Sequence, residues 1–297
     1  ARLVAAALER DAPQEARVLT WGLAAPDFAG VLQLLDTEAR VALVRALGDR
    51  FDPEVFPELD RGVRDQLVPL LPSTVLVQAA AALETDDAAY VIEGLDPDRR
   101  QEILAALPDA ARTALERNLL YPRETAGRLM QTDFVAVPPF WTVGRTIDHM
   151  REAEDLPESF TDIYVVDPTF HVVGSVDLSR LLRTKREVRI EAIMDRDKHV
   201  MLATEDQEEV ARQFERYELR SAPVVDANQR LVGVVTVDDV VEVIEKEADE
   251  DLRRLSGVGN EGISDGVRQI VPSRFWWLFV NLLTAILASA VIKQFDA

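Results

Sequence analysis

The sequence predicts a multidomain chain of α and α/β class. A solenoid of short helices is followed by a repeated α/β unit, a long acidic helix and one transmembrane helix. Three observations predict this order. Leucine recurs at every twelfth position in the N-terminal part, two similar segments lie 59 residues apart in the middle, and an uncharged run of eighteen residues lies near the end.

The composition indicates a chain with more than one domain and excludes chemistry that requires cysteine. With 297 residues and 47% hydrophobic side chains, the chain can fill two or three cores. It begins with Ala1 and not with Met, so we expect a piece of a longer protein. There is no cysteine, and the three histidines have no metal-ligand spacing, so disulfides and thiol chemistry are excluded and we expect no enzyme active site.

The charge balance is strongly acidic, with 53 acids against 33 bases and a net charge of −20. Nucleic acid is not expected as a partner, because phosphate binding requires clustered Lys and Arg. The acidity is compatible with two interpretations: it keeps the protein soluble, or it creates acidic surfaces that need cations in order to pack together.

The leucine period predicts a stack of short helices over residues 1–120. Apolar residues lie four and three positions before most of these leucines, as in Val31-Leu32-Leu35 and Val55-Phe56-Leu59, which is one face of a helix. Helix breakers or capping residues follow each set. Helices this short are unstable alone, so neighbouring units must stack to bury a continuous stripe. The leucines of the period are residues 23, 35, 47, 59, 71, 83, 95, 107 and 119.

The repeated unit in the middle predicts two copies of one α/β fold. Residues 164–167 with 172–176 match residues 223–226 with 231–235, and each pair consists of an apolar strand, a polar turn and a second strand. An amphipathic helix is predicted before each copy, over residues 143–151 and 207–217.

A long acidic helix is predicted from Val237 onward. Between Glu242 and Asp251 there are six acids and one base, and like charges at helical spacing oppose helix formation. A hard divalent cation with carboxylate ligands would relieve this repulsion. The alternative is a solvated acidic face.

The uncharged run, residues 275–292, predicts a membrane span. Eighteen residues at about 1.5 Å each reach across a bilayer core. Trp276 and Trp277 lie where an aromatic belt is expected, and Arg268 and Arg274 favour a cytoplasmic N-terminal side. A buried helix of a soluble domain is the alternative, and a single helix cannot by itself form a transport pathway.

The repeated unit resembles a tandem pair of CBS domains, in the order of its elements, the Val-Val-Asp turn and the glycine between the strands. Such pairs are regulators and bind adenosine nucleotides or other ligands between the copies. The family's ribose-binding pattern is matched by Thr236 and Asp239, which are equally explained as residues that cap the next helix. The first copy has Asp177 and Arg180 at these positions, so the resemblance does not favour ATP binding here.

The order of the parts resembles the MgtE family of magnesium channels. Residues 121–130 (YPRETAGRLM), 206–211 (DQEEVA), 231–239 (LVGVVTVDD) and 281–284 (NLLT) carry the resemblance. It implies a homodimer of the cell (inner) membrane, multi-pass at full length, with residues 1–271 cytoplasmic and paired through CBS domains and connecting "plug" helices. Several regulatory Mg²⁺ ions would bind between the N domain, the CBS pair and the plug helix, and would close the pore.

The resemblance also implies domain bounds and metal ligands. The bounds are 1–120 for the helical domain, 121–187 and 188–244 for the CBS domains, 238–271 for the plug helix and linker, and 272–297 for the first transmembrane helix. A family acid is replaced by Tyr90, so the metal site there is either lost or moved to Asp87. The carried-over ligands are Glu54, Asp86, Asp87, Asp206, Glu208, Glu218, Asp239, Glu242, Glu247, Glu250 and Asp251.

Two further functions compete with the magnesium-sensing one. The chain could be a membrane-anchored CBS module that senses adenosine nucleotides, or a soluble solenoid scaffold with an apolar C-terminal helix. Titration with MgCl₂ and with ATP separates the first two, and the solubility of the chain without residues 272–297 tests the third.

Overall fold

Short helices form the N-terminal part because each apolar stretch ends at a capping or breaking residue. Asp36 accepts a hydrogen bond from the Ala39 amide at the start of one helix, and Asp96 accepts one from Arg99 at another. Gly48 ends a helix with a positive φ of 54°. The helices are α1 (Arg2–Glu9), α2 (Pro13–Leu19), α3 (Ala25–Gln33), α4 (Thr37–Leu47), α5 (Arg61–Leu67), α6 (Ser73–Ala82), α7 (Thr85–Ile92), α8 (Pro97–Ala106) and α9 (Asp109–Leu119).

One repeat of the leucine period does not form the helix that the pattern predicts. Val55, Phe56 and Leu59 are all buried, but they lie on a 3₁₀ turn (Pro53–Val55) and the irregular chain after it. Pro53 and Pro57 lack the backbone N–H that a continuous helix needs. The period therefore identified core positions correctly and the local conformation wrongly.

The structure is a computed structural model that describes residues 1–153, 156–157, 159–197, 199–256, 279–280, 282–286 and 289, with the side chains of residues 49 and 249–256 left aside. Two units are distinguished within it. One comprises residues 1–75 together with the described residues from Lys246 onward, and the other comprises residues 76–245.

Two α/β copies follow the helices, and each has a three-stranded sheet. In the first copy β1 (Ala136–Val137) pairs parallel with β2 (Asp162–Val166), which pairs antiparallel with β3 (Val172–Asp177). The second copy repeats this with β4 (Met201–Leu202), β5 (Ser221–Val225) and β6 (Leu231–Thr236). The short edge strands were not predicted. The helices of this part are α10 (Ala126–Leu129), α11 (Val143–Glu152), α12 (Leu178–Arg183) and α13 (Gln207–Tyr217).

Each copy has its own apolar core, and a third cluster joins the two. Tyr164, Val166 and Val172 of the first copy pack with Val225 and Leu231 of the second. The glycine of the repeat is explained by close backbone approach, because a Cβ on Gly174 would lie 2.3 Å from the carbonyl oxygen of Asp195.

A long helix, α14 (Val237–Ser256), follows β6 as predicted. Among the residues that the structure describes, no helix is long and apolar enough to cross a membrane. The predicted linker and most of the predicted transmembrane helix lie outside the described residues, so both stay predictions.

Candidate functional site

The first turn of α7 places Asp86 inside the protein. The side chain is only 9% exposed, and its Oδ1 atom has no hydrogen-bond partner. Glu84 occupies the N-cap position of this helix and Asp86 lies two residues later, so Asp86 is not the N-cap residue of α7. A buried carboxylate oxygen without a hydrogen-bond donor costs free energy of folding, so Asp86 is a candidate functional residue.

Asp239 lies in the first turn of α14 and accepts two hydrogen bonds from the residue before the helix. The Thr236 hydroxyl donates to Asp239 Oδ2 over 2.6 Å, and the Thr236 amide donates over 3.3 Å. A third-position acid that accepts from the backbone N–H before the helix is half of a capping box. Thr236 and Asp239 are therefore hydrogen-bonded to each other at the N-terminus of α14, as the capping interpretation of this pair expects.

The two carboxyl groups face each other, and both titrate abnormally. Burial raises the pKa of Asp86 well above its ordinary value, and the charges of Asp239, Asp87 and Glu84 raise it further. Burial is also the main cause that raises the pKa of Asp239 to about 6, against hydrogen bonds from Thr236 and Asp86. Burial and mutual repulsion therefore favour a proton shared by this pair in the absence of a cation, because two adjacent carboxylates cannot both ionise cheaply.

Contacts at both ends of α7 fix this helix to α10 and the chain directly after it, which pack against the second α/β copy. Glu93, directly after α7, pairs with Arg128 on α10 over 2.6 Å, and both side chains are nearly buried, at 10% and 12% exposed. At the other end the Thr85 and Thr132 hydroxyls lie 2.8 Å apart. Asn118 donates to three carbonyl oxygens of the α10 segment. The position of Asp86 is thus determined from both ends of its helix.

The structure does not gather the other predicted ligands around this pair. Glu54, Asp206, Glu208 and Glu218 are exposed, and the last of these ends α13 in a left-handed conformation. Asp87 and Tyr90 are half-buried beside Asp86, and Glu242 and Glu247 lie further along α14. Glu250 and Asp251 lie outside the described side chains. Within the described part of the chain, no group of three or more His, Asp or Glu could hold a metal ion.

Sequence reasoning missed the groups that position the pair. Glu93 and Arg128 are 35 residues apart and neither belongs to a charge pattern. The signal that existed was Arg128 itself, which lies in the YPRETAGRLM stretch that carried the family resemblance. Asn118 is fully buried, but nothing in the sequence distinguishes it from the other polar residues of α9.

A second feature of this unit is a cleft of about 370 Å³ between the two α/β copies. The first copy contributes the ends of β2 and β3, and the second contributes the chain from the end of α13 into β5. Its polar lining consists of Asp162, Tyr164, Ser175, Asp177, Asp195, Asp197, His199, Tyr217, Glu218, Arg220 and Ser221.

Comparison with family models and known proteins gives a consistent result. A family model described as the MgtE intracellular N domain matches residues 23–124, and one described as the CBS domain matches residues 126–187 and 190–246. The chain is 28% identical over 244 residues to a magnesium transporter MgtE of Bacillus subtilis, covering 82% of the chain and 54% of that relative. It is 34% identical to the MgtE of Thermus thermophilus, covering 71% of the chain and 48% of that relative.

Solved structures show the same similarity. The cytosolic domain of the Mg²⁺ channel MgtE in complex with ATP matches with a TM-score of 0.72 and 29% identity, over 81% of this chain and 98% of that one. The soluble part of a magnesium transporter matches with a TM-score of 0.69 and 27% identity, over 83% and 97%. The chain spans about half the length of the curated relatives that it matches.

Proposed function

Because the chain belongs to the MgtE family, with an MgtE intracellular N domain followed by a CBS domain pair, we propose that it is the Mg²⁺-sensing part of a magnesium channel. In this proposal Mg²⁺ bridges the N domain to the plug helix α14 and thereby closes the pore of the full-length protein. The observation that carries the proposal is the facing pair of Asp86 and Asp239, one on each of these two elements.

The chemistry of the pair fits Mg²⁺. This ion binds through one or two carboxylates and keeps several of its waters, so two acids are a sufficient protein contribution. Asp86 Oδ1 has no donor and is available as a ligand atom. Mg²⁺ also supplies the positive charge that the two carboxylates lack, which would remove the need for a shared proton.

In this proposal, gating follows because the Mg²⁺-bound state favours contact between α7 and α14, whereas the Mg²⁺-free state favours their separation. With Mg²⁺ bound, Asp86 and Asp239 attract the same ion and hold α7 against the start of α14. Without Mg²⁺, the two carboxyl groups stay together only while the pair holds a proton; once both ionise, they repel each other and favour separation of the helices. The remaining acids of the predicted ligand set would act in the same way at further sites, with Glu242, Glu247, Glu250 and Asp251 on the plug helix.

A homodimer is part of the proposal. Val237, Val241 and Ile244 form an apolar stripe on α14 and are 44%, 48% and 47% exposed. Their spacing of four and three residues places them on one helix face. A second plug helix would cover this stripe, with the two subunits related by a twofold axis. Residues 275–292 would anchor each subunit in the cell membrane, with residues 1–271 on the cytoplasmic side.

A nucleotide-sensing role is the second candidate. The observation in its favour is that the similar cytosolic domain of the Mg²⁺ channel MgtE was solved in complex with ATP. Against it, Thr236 and Asp239 are engaged with each other and with Asp86, so a ribose would have to displace these contacts. Magnesium sensing therefore remains the preferred function.

We expect Mg²⁺ to make the chain more compact. The radius from small-angle scattering and the rate of proteolysis should both fall on going from EDTA to about 10 mM MgCl₂, by more than in NaCl of equal ionic strength, about 30 mM. The reason is that NaCl only screens the acidic surfaces, whereas Mg²⁺ bridges them. Superimposable scattering curves and digestion patterns in the two salts would show that the proposed bridge does not form.

A further inference from the structure

The cleft between the two α/β copies has the size of a ligand site but the wrong charge for a nucleotide. A cleft of about 370 Å³ falls in the usual range for small-molecule sites. Adenosine nucleotides are the ligands that a CBS pair predicts there, and their phosphates carry several negative charges. The described residues that line the cleft include five carboxylates against one guanidinium, that of Arg220; the acids are Asp162, Asp177, Asp195, Asp197 and Glu218.

The one guanidinium is already paired. Arg220 Nη1 of the second copy lies 3.2 Å from Asp177 Oδ2 of the first copy, so the ion pair crosses the cleft. Hydrogen bonds from the Ser179 hydroxyl and from the backbone hold the pKa of Asp177 below its ordinary value. Asp177 is therefore ionised at neutral pH and competes with a phosphate group for Arg220.

Side chains of β2 and β5 also meet across the cleft. The Ser221 hydroxyl donates to Asp162 Oδ2 over 2.9 Å, and because its single proton is used there, the Tyr164 hydroxyl donates to Ser221 over 2.6 Å. Both bonds connect the first copy to the second. These contacts join the copies across the space where a bridging ligand would otherwise lie.

The internal symmetry of the fold identifies a residue of the cleft that differs between the two α/β copies. Asp177 pairs with Asp162 across the first hairpin, and Thr236 pairs with Ser221 at the same register of the second. The second copy thus has a neutral hydroxyl where the first has a carboxylate. We infer that Asp177 is a specificity-determining residue that closes this cleft to nucleoside phosphates by its charge and by its ion pair with Arg220. This inference does not depend on Mg²⁺ sensing.

The test is a calorimetric titration of the whole chain with ATP in EDTA, where chelation of Mg²⁺ by ATP plays no part. The variant is Asp177→Ser, since serine caps α12 as well as aspartate does while removing the charge and releasing Arg220. The matched control is Asp96→Ser, which makes the same change at the exposed N-cap of α8. Inorganic tripolyphosphate serves as the probe for binding of phosphate alone.

We expect no saturable heat from the parent or the control up to about 1 mM ATP, and a dissociation constant at least tenfold below that limit for Asp177→Ser. Saturable ATP binding by the parent below that limit would overturn the inference. So would the absence of ATP binding by Asp177→Ser, or tripolyphosphate binding as tight as that of ATP. If serine lowers the melting temperature, Asp177→Asn keeps the cap and the shape and is judged by the same criteria.

Discussion

Without divalent cations, Asp239→Asn is expected to be more stable than the parent at about pH 8, by about 3 kcal/mol. The parent must ionise a carboxyl group whose pKa the folded protein raises to about 6 from an ordinary value of 3.8. The variant has no such group. Chemical denaturation of both proteins in EDTA across the pH range measures the difference.

The sign of the pH dependence follows from the direction of the shift. A raised pKa means that the folded state prefers the protonated carboxyl group, so its contribution to stability is complete below about pH 4 and is lost as the pH rises through about 6. Asp86, whose pKa is also raised, adds a loss in the same direction. The advantage of Asp239→Asn should therefore vanish near about pH 4.

Saturating Mg²⁺ should reverse the order of the two proteins at about pH 8, because only the parent retains both carboxylates as ligands. Asp96→Asn is the control, since asparagine caps α8 nearly as well as aspartate. A parent that is more stable than Asp239→Asn in EDTA at every pH would contradict the raised pKa and the crowding of the two carboxyl groups.

Glu93→Ala is expected to destabilise the chain by about 3 kcal/mol, because it leaves the nearly buried guanidinium of Arg128 without its carboxylate. The same variant should weaken the response to Mg²⁺, since Glu93 fixes the C-terminal end of the helix that carries Asp86. Urea unfolding and the Mg²⁺ dependence of proteolysis measure the two effects.

The combined variant Glu93→Leu with Arg128→Met should recover most of the lost stability, because replacing both partners leaves no unpaired charge in the buried part of the contact. Arg123, which also pairs with Glu93 over 3.3 Å, is 55% exposed and loses little. Arg112→Ala breaks an ion pair with Asp109, which is 91% exposed, and should cost less than about 1 kcal/mol. A loss for Glu93→Ala no larger than that for Arg112→Ala would show that the contact does not hold α7 in place.

The sequence predicted the fold where a regular period coincides with regular structure. The 59-residue repeat identified both antiparallel hairpins, and the acidic run identified α14. The leucine period found the buried positions Val55 and Phe56 but not their conformation, because Pro53 and Pro57 prevent a helix locally. The two-residue edge strands β1 and β4 are too short to carry a pattern.

The candidate site was predictable in its residues but not in its energetics. The family resemblance supplied Asp86 and Asp239, whereas helix capping was the ordinary explanation of Asp239. Burial of Asp86 depends on the packing of α7 against a distant segment of the chain, such as Thr132 against Thr85, 47 residues apart. Such contacts between distant residues leave no periodic signal. The shared proton and the Glu93–Arg128 pair could therefore be found only in the structure.

The central claim is that Asp86 and Asp239 together bind Mg²⁺. Calorimetric titration of the metal-free chain with MgCl₂ at about pH 8, above the raised pKa of Asp239, tests it most directly. Asp86→Asn, Asp239→Asn and the double variant are compared with the parent and with Asp96→Asn. The account predicts that each single variant loses the tightest Mg²⁺ site, that the double variant loses no more than either single one, and that Asp96→Asn matches the parent. An unchanged Mg²⁺ titration for both single variants would contradict the account and would place magnesium sensing on the acids further along α14.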